Sequence, residues 1–178
     1  MSNSLEVPLR PRPSGRSRLW AILAVVGVVA LVAGWAAWYA TTPEELPVSA
    51  RTVTAEGVTG TTFYVGMFAA PDDFDRSIHV SDVEVPTSGD GGAEITPLLC
   101  REGAVGVTTS PEEFCSELVE PEGEDLTSGD SIVLEVAAEE VGELTVDRVE
   151  ISFREKLSWG TEPAGNAAAV LTITEPSD

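Results

Sequence analysis

The chain has 178 residues, two cysteines and a net charge of −20, which is long enough for one domain with its own core. Thirty acidic against ten basic side chains exclude binding to nucleic acid through phosphate neutralisation and disfavour docking on anionic lipid. With one histidine and no GxSxG, HExxH, SxxK or phosphate-cradling motif, no catalytic or zinc-binding set is assembled.

Residues 1–18 mix Pro8, Pro11 and Pro13 with Ser, Gly and four arginines. Such a segment buries no core and reads as a disordered, basic, cytoplasmic tail. Pro8 and Pro11 have PxxP spacing, but a topology-setting tail accounts for them more simply than a ligand for a proline-binding module.

Residues 19–39 are 21 positions without a charge. At about 1.5 Å per helical residue they span ~31 Å, the thickness of a bilayer's hydrocarbon core. A soluble core helix would keep a polar face. A cleavable signal peptide would have a shorter apolar run and a small residue where Trp38 stands, two before Ala40. The run therefore predicts a single uncleaved transmembrane helix, with Trp20 at one interface and Trp35, Trp38 and Tyr39 toward the other. Four arginines and one glutamate before it give 4 − 1 = +3, so the positive-inside rule puts the N-terminus in the cytoplasm and the rest outside. Ala30 and Gly34 form a small-xxx-small pair of the kind helix partners use, although alanine-rich runs generate such pairs by chance.

Residues 40–47, with Pro43 and Pro47, read as a short stiff linker. From Thr41 onward there are 29 acidic and 6 basic residues, or 6 − 29 = −23. From about residue 48 the continuous apolar run gives way to short alternating β-branched runs. Strands are expected at 48–56, 62–69, 77–85, 93–99, 131–138, 143–153 and 167–174, separated by Gly, Pro, Asp and Ser clusters. Ile132, Leu134 and Val136 share one face of their strand. In two strands the apolar parity slips, from Ile78 and Val80 to Val83 and Val85, and from Leu144 and Val146 to Val149, Ile151 and Phe153. One inserted residue, a β-bulge, accounts for each slip. Both slips lie in Val-x-x-Val-Glu, a faint repeat. Seven short strands predict an all-β fold for residues 48–178, an immunoglobulin-like antiparallel β-sandwich preceded by the single transmembrane helix.

Cys100 and Cys115 on the exported side predict a disulfide across a long connection. Their spacing is too short for the inter-sheet bridge of an antibody domain. His79 reads as a strand residue. With 29 carboxylates in one domain, a chance pair at glycosidase-like separation carries no weight. Acidic turns at 71–75, 88–92, 120–125 and 128–130 offer oxygen ligands, but none matches the EF-hand template, so they read as solvated loops with a calcium site as the alternative. Phe74, Phe114 and Trp159 lie in or beside loops and are the candidate interaction anchors. Nine arginines against one lysine, among many Ala, Val and Gly, fit a GC-rich bacterial coding sequence.

The sequence thus predicts a non-catalytic interaction or accessory module of a bacterial cell envelope, anchored in the bilayer by residues 19–39. It predicts no cofactor and no nucleic-acid partner; an envelope protein or cell-wall polymer is the expected partner. A divalent-cation-responsive structural domain is the first alternative and an envelope hydrolase the second.

Overall fold

The computed structural model describes the backbone of residues 15–41 and 43–176, and the side chains of residue 20, residues 22–38 and residues 43–176. The tail expected at 1–18 lies outside the described residues as far as residue 14. The chain divides into two compact units, one ending at Thr41 and the other running from Thr42 to Asp178.

The first unit contains one helix, α1 (Gly15–Thr41). Every side chain described in it is exposed, Trp20, Ile22, Leu31 and Trp38 among them. Among the described residues no helix is long and apolar enough to cross a membrane.

The second unit consists of two packed sheets built from β1 (Thr52–Val58), β2 (Thr62–Ala69), β3 (Ile78–Glu84), β4 (Thr87–Gly89), β5 (Ala93–Arg101), β6 (Val107–Thr108), β7 (Glu117–Val119), β8 (Asp125–Leu126), β9 (Ser131–Ala138), β10 (Gly142–Glu155) and β11 (Ser158–Thr174). One sheet has the order β1-β11-β10-β3-β8, with β4 also on β10; the other has the order β6-β2-β9-β5-β7. All seven expected strands form. The ladders are antiparallel except one: β1 runs parallel to β11, from Thr52 opposite Ala168 to Val58 opposite Thr174. The expectation of a wholly antiparallel sandwich is corrected there.

Alternation fills the core. Val53 and Ala55 of β1, Ile132, Leu134 and Val136 of β9, and Leu171 and Ile173 of β11 are buried in one cluster with Phe63, Val65, Ile78, Val80, Ile151 and Phe153. Each such side chain contributes roughly 1.5–3 kcal/mol on burial. Both parity slips are bulges. Ser81 is the extra residue of β3, because Asp82 faces Ser152 and Val80 faces Phe153. In β10 the register with β11 shifts between Asp147 and Val149. Val80, Val83, Val146 and Val149 are consequently all buried. A third bulge, at Gly66 to Phe68 opposite β9, has no counterpart in the sequence reading.

Two expected boundaries move. The turn expected at 163–166 lies within β11, and the hairpin reverses at Lys156 and Leu157 instead. Gly165 makes this workable: its φ is +72°, and a Cβ there would overlap the Met67 carbonyl, so only glycine fits. Pro163 pairs with Glu150 on β10, while the β1 ladder begins only at Ala168. It therefore sits where β11 is hydrogen-bonded on one side, the place a sheet tolerates proline. The linker expected at 40–47 is in its described part integrated into the sandwich. Leu46 is buried in the core, the Gly165 amide donates to Pro47 O at 2.9 Å, and Val48 bridges Gly165.

Candidate functional site

Cys100 and Cys115 form a disulfide with Cα atoms 5.2 Å apart. Cys100, one residue before the end of β5, lies opposite Ser131 of β9, and Cys115 follows a short 3-10 turn, Pro111–Glu113. The bridged loop lies over the outer side of β9. Val133, whose neighbours Ile132 and Leu134 face the main core, is buried in a second small cluster with Cys100, Val105 and Cys115, and Tyr64 and Leu118 pack against it. β9 is thus covered on both faces at this end. Burial, and then the charges of Glu135 and Glu112, push the Tyr64 hydroxyl above its ordinary value of 10.0, since each disfavours the phenolate.

The acidic turns at 120–125 and 128–130 converge on a cation supplied by the chain itself. The Arg101 guanidinium donates to Glu124 Oε2 at 2.6 Å, to Asp130 Oδ2 at 3.0 Å and to the Asp125 carbonyl. Asp130 is 3% exposed. Its Oδ2 also accepts from the Thr127 amide and hydroxyl, each at 3.0 Å, and its Oδ1 accepts from the Glu102 amide at 3.1 Å. Glu102 has φ of 50°, so Asp130 pins a left-handed turn while neutralised by Arg101. Arg101 thus supplies the positive charge among these oxygens. Among the described residues no group of three or more His, Cys, Asp or Glu is arranged to hold a metal ion. His79 Nδ1 lies 2.9 Å from Asp125 Oδ1 at the surface.

A second arginine fixes the start of the unit. Arg76 donates to Glu155 Oε2 at 3.1 Å, to Glu44 O at 3.1 Å and to Glu45 O at 2.8 Å. Its guanidinium lies 5.1 Å from the centre of the Phe74 ring. Arg76 and Glu155 are both largely buried, at 11% and 14%, so this contact ties the segment before β1 to the end of β10.

The three candidate anchors separate. Phe74 is buried in the core, its ring beneath the Arg76 guanidinium. Phe114 is exposed and caps the 3-10 turn beside Cys115. Trp159 is exposed on β11, its ring 5.4 Å from the Arg154 guanidinium across the hairpin. Phe114 belongs to the disulfide loop of one sheet and Trp159 to a strand of the other, and they form no joint site.

Leu157 was not singled out in the sequence, where it followed a strand expected to end at 153. It is 82% exposed, ahead of Trp159 at 65%. Two open clefts lie among the described residues, one of about 580 Å³ lined by Ser88, Gly91, Glu139 and Glu140 and one of about 420 Å³ lined by Arg51, Gly66, Val105 and Asn166. No protein-family model matches the chain, and neither a curated protein nor a solved structure matches it.

Proposed function

We propose that this chain is a single-pass protein of a bacterial cell envelope, with its N-terminus in the cytoplasm. In this reading its extracytoplasmic, immunoglobulin-like sandwich serves as a non-catalytic interaction or accessory module. The observation that carries the reading is the uncharged run 19–39 of the sequence, 21 residues against about 20 for a span, which falls inside α1 (Gly15–Thr41). Helices that are apolar all round belong in lipid or in a large core, and the described side chains of α1 are exposed. The +3 before the helix and −23 after it support the orientation, and the Cys100–Cys115 disulfide supports an oxidising compartment for the domain.

The immunoglobulin-like assignment is supported by strand order. Among the longer strands, β11-β10-β3 matches G-F-C, and β2-β9-β5 matches B-E-D. The first strand has moved from B to lie parallel with G. The interaction role is supported by apolar side chains left at the surface, Leu157 and Trp159 first. Crosslinking in intact membranes followed by purification of the full chain tests it. One stoichiometric membrane protein, or cell-wall polymer, attached through the exported domain is expected; recovery of the chain alone under efficient crosslinking contradicts the proposal.

A further inference from the structure

We propose that the tip of the β10–β11 hairpin, Arg154 to Trp159, is a lipid-docking element that seats the sandwich on zwitterionic phospholipid headgroups beside its own anchor. The inference rests on the reading of residues 19–39 as a membrane helix.

The first ground is exposure. In the second unit Leu157 and Trp159 are the most exposed large apolar side chains, at 82% and 65%, with Val48 next at 55%. Leu157 sits on the tight turn itself and Trp159 two residues on, at the start of β11, with the Arg154 guanidinium on one side of its ring. Such exposure is costly in water, and it suits the boundary between acyl chains and headgroups, where tryptophan concentrates.

The second ground is position. Glu155 binds Arg76, which holds the carbonyls of Glu44 and Glu45. A Cβ on Gly160 would overlap the Pro43 ring, so β11 and the incoming chain are in contact just past the turn. The hairpin tip and the entry of the chain are therefore at the same end of the sandwich. Pro43 follows Tyr39, the last residue of the uncharged run, by four residues, at most about 14 Å of extended chain. With residues 19–39 in a bilayer, as proposed, this chain length would keep that end of the domain within reach of the headgroups.

The third ground is charge. Of the six basic residues in this acidic unit, three are exposed, Arg51, Arg154 and Lys156, and two of those flank the tip. Their long stems can lie along an interface while the charges reach lipid phosphates. The intervening Glu155 is already neutralised by Arg76. Lys156 holds φ of 55° at a turn position that glycine would take without strain. Keeping a lysine there sacrifices some stability for a cation at the tip. Glu44 lies at the same end and is exposed, and the unit carries −23, so an anionic surface would repel the domain; zwitterionic lipid fits.

The test uses the full-length chain in phosphatidylcholine nanodiscs with nitroxide labels either at the headgroup or deep in the acyl chains. Changing Trp20, Trp35 and Trp38 to Phe leaves Trp159 as the single tryptophan. Its emission should be blue-shifted, headgroup labels should remove about half of it, and Leu157→Ser should reverse most of that quenching without altering the melting temperature. A companion chain that keeps only Trp35 reports on the anchor and should respond to the acyl label. If Trp35 is quenched by lipid labels and Trp159 is not, the docking inference is overturned and the anchor stands. If neither responds, the anchor reading fails and takes the inference with it. Emission from Trp159 that ignores the lipid labels but shifts with protein concentration assigns the tip to a second copy of the chain, which also overturns the inference.

Discussion

Asp130 shows what a single residue does in this domain. It is almost wholly buried, it neutralises Arg101, and it accepts from three further donors around a left-handed turn. Removing its carboxylate leaves Arg101 with one carboxylate partner, Glu124, and takes the acceptor from the Thr127 and Glu102 donors. Asp130→Ala should therefore lower the unfolding free energy of residues 43–178 by about 3 kcal/mol in equilibrium denaturation; a loss below about 1 kcal/mol would mean that water replaces the carboxylate. Tyr64 gives a pH signature. Its folded pKa is raised by burial and by Glu135 and Glu112, so the folded state holds the phenolic proton more tightly than the unfolded chain does. The stabilisation is complete below about 10, the unfolded value, and declines as pH rises from there through the folded pKa. In a Tyr39→Phe background the phenolate absorbance should titrate above 10, and Tyr64→Phe should flatten the alkaline fall in stability between those two values. A midpoint at or below 10 would contradict this.

At the scale of the element, the disulfide loop is a lid on one sheet. It converts the outer face of β9 around Val133 into a second small core. The closed segment is near 15 residues, so Cys100→Ser with Cys115→Ser should lower stability by about 3 kcal/mol, with a loss of near-ultraviolet signal from Tyr64 if the lid lifts. An unchanged midpoint in denaturant would refute the lid. The same scale shows which features the sequence announces. Strand interiors were legible because alternation is a local signal, and the bulges at Ser81 and near Arg148 were legible because an inserted residue leaves a parity slip in an apolar pattern. The bulge at Met67 left none, since Val65, Gly66, Met67 and Phe68 are all buried and no phase could be read there. β4, β6, β7 and β8 have two or three residues each, too few to show a period. Pro163 and Gly165 read as turn residues because their chemistry is that of turns; pairing with β10 on one side, and the close approach to Met67, made them strand residues. Trp159 was visible as an aromatic near a break. Leu157 and the Arg76 and Arg101 contacts were not, because each depends on segments 23 to 79 residues apart in sequence or on a turn placed two residues away from a strand's expected end.

The whole molecule joins the uncharged run 19–39 to a domain carrying −23. Gathering those carboxylates into one fold should make stability respond to ionic screening rather than to one ion. The melting temperature of residues 43–178 should rise with NaCl, and calcium at matched ionic strength should add little, because Arg101 already fills the acidic turns at 120–130. A calcium increment of several degrees at sub-millimolar concentration, abolished by neutralising Glu122, Glu124 and Asp125 together, would instead establish a saturable site. Anchorage and orientation are the centre of the account, and the distribution of glutamates provides their test. Glu6 is the single glutamate before the helix, whereas Glu44 and the loops of the domain offer many after it. A glutamate-specific protease added to intact spheroplasts of cells making an N-terminally tagged chain should therefore reduce the tagged product to the tail and helix, with Glu6 uncut until the membrane is lysed. Cleavage at Glu6 with the domain protected until lysis would contradict the orientation, and a soluble secreted form beginning near Ala37 or Thr41 would contradict the anchor itself.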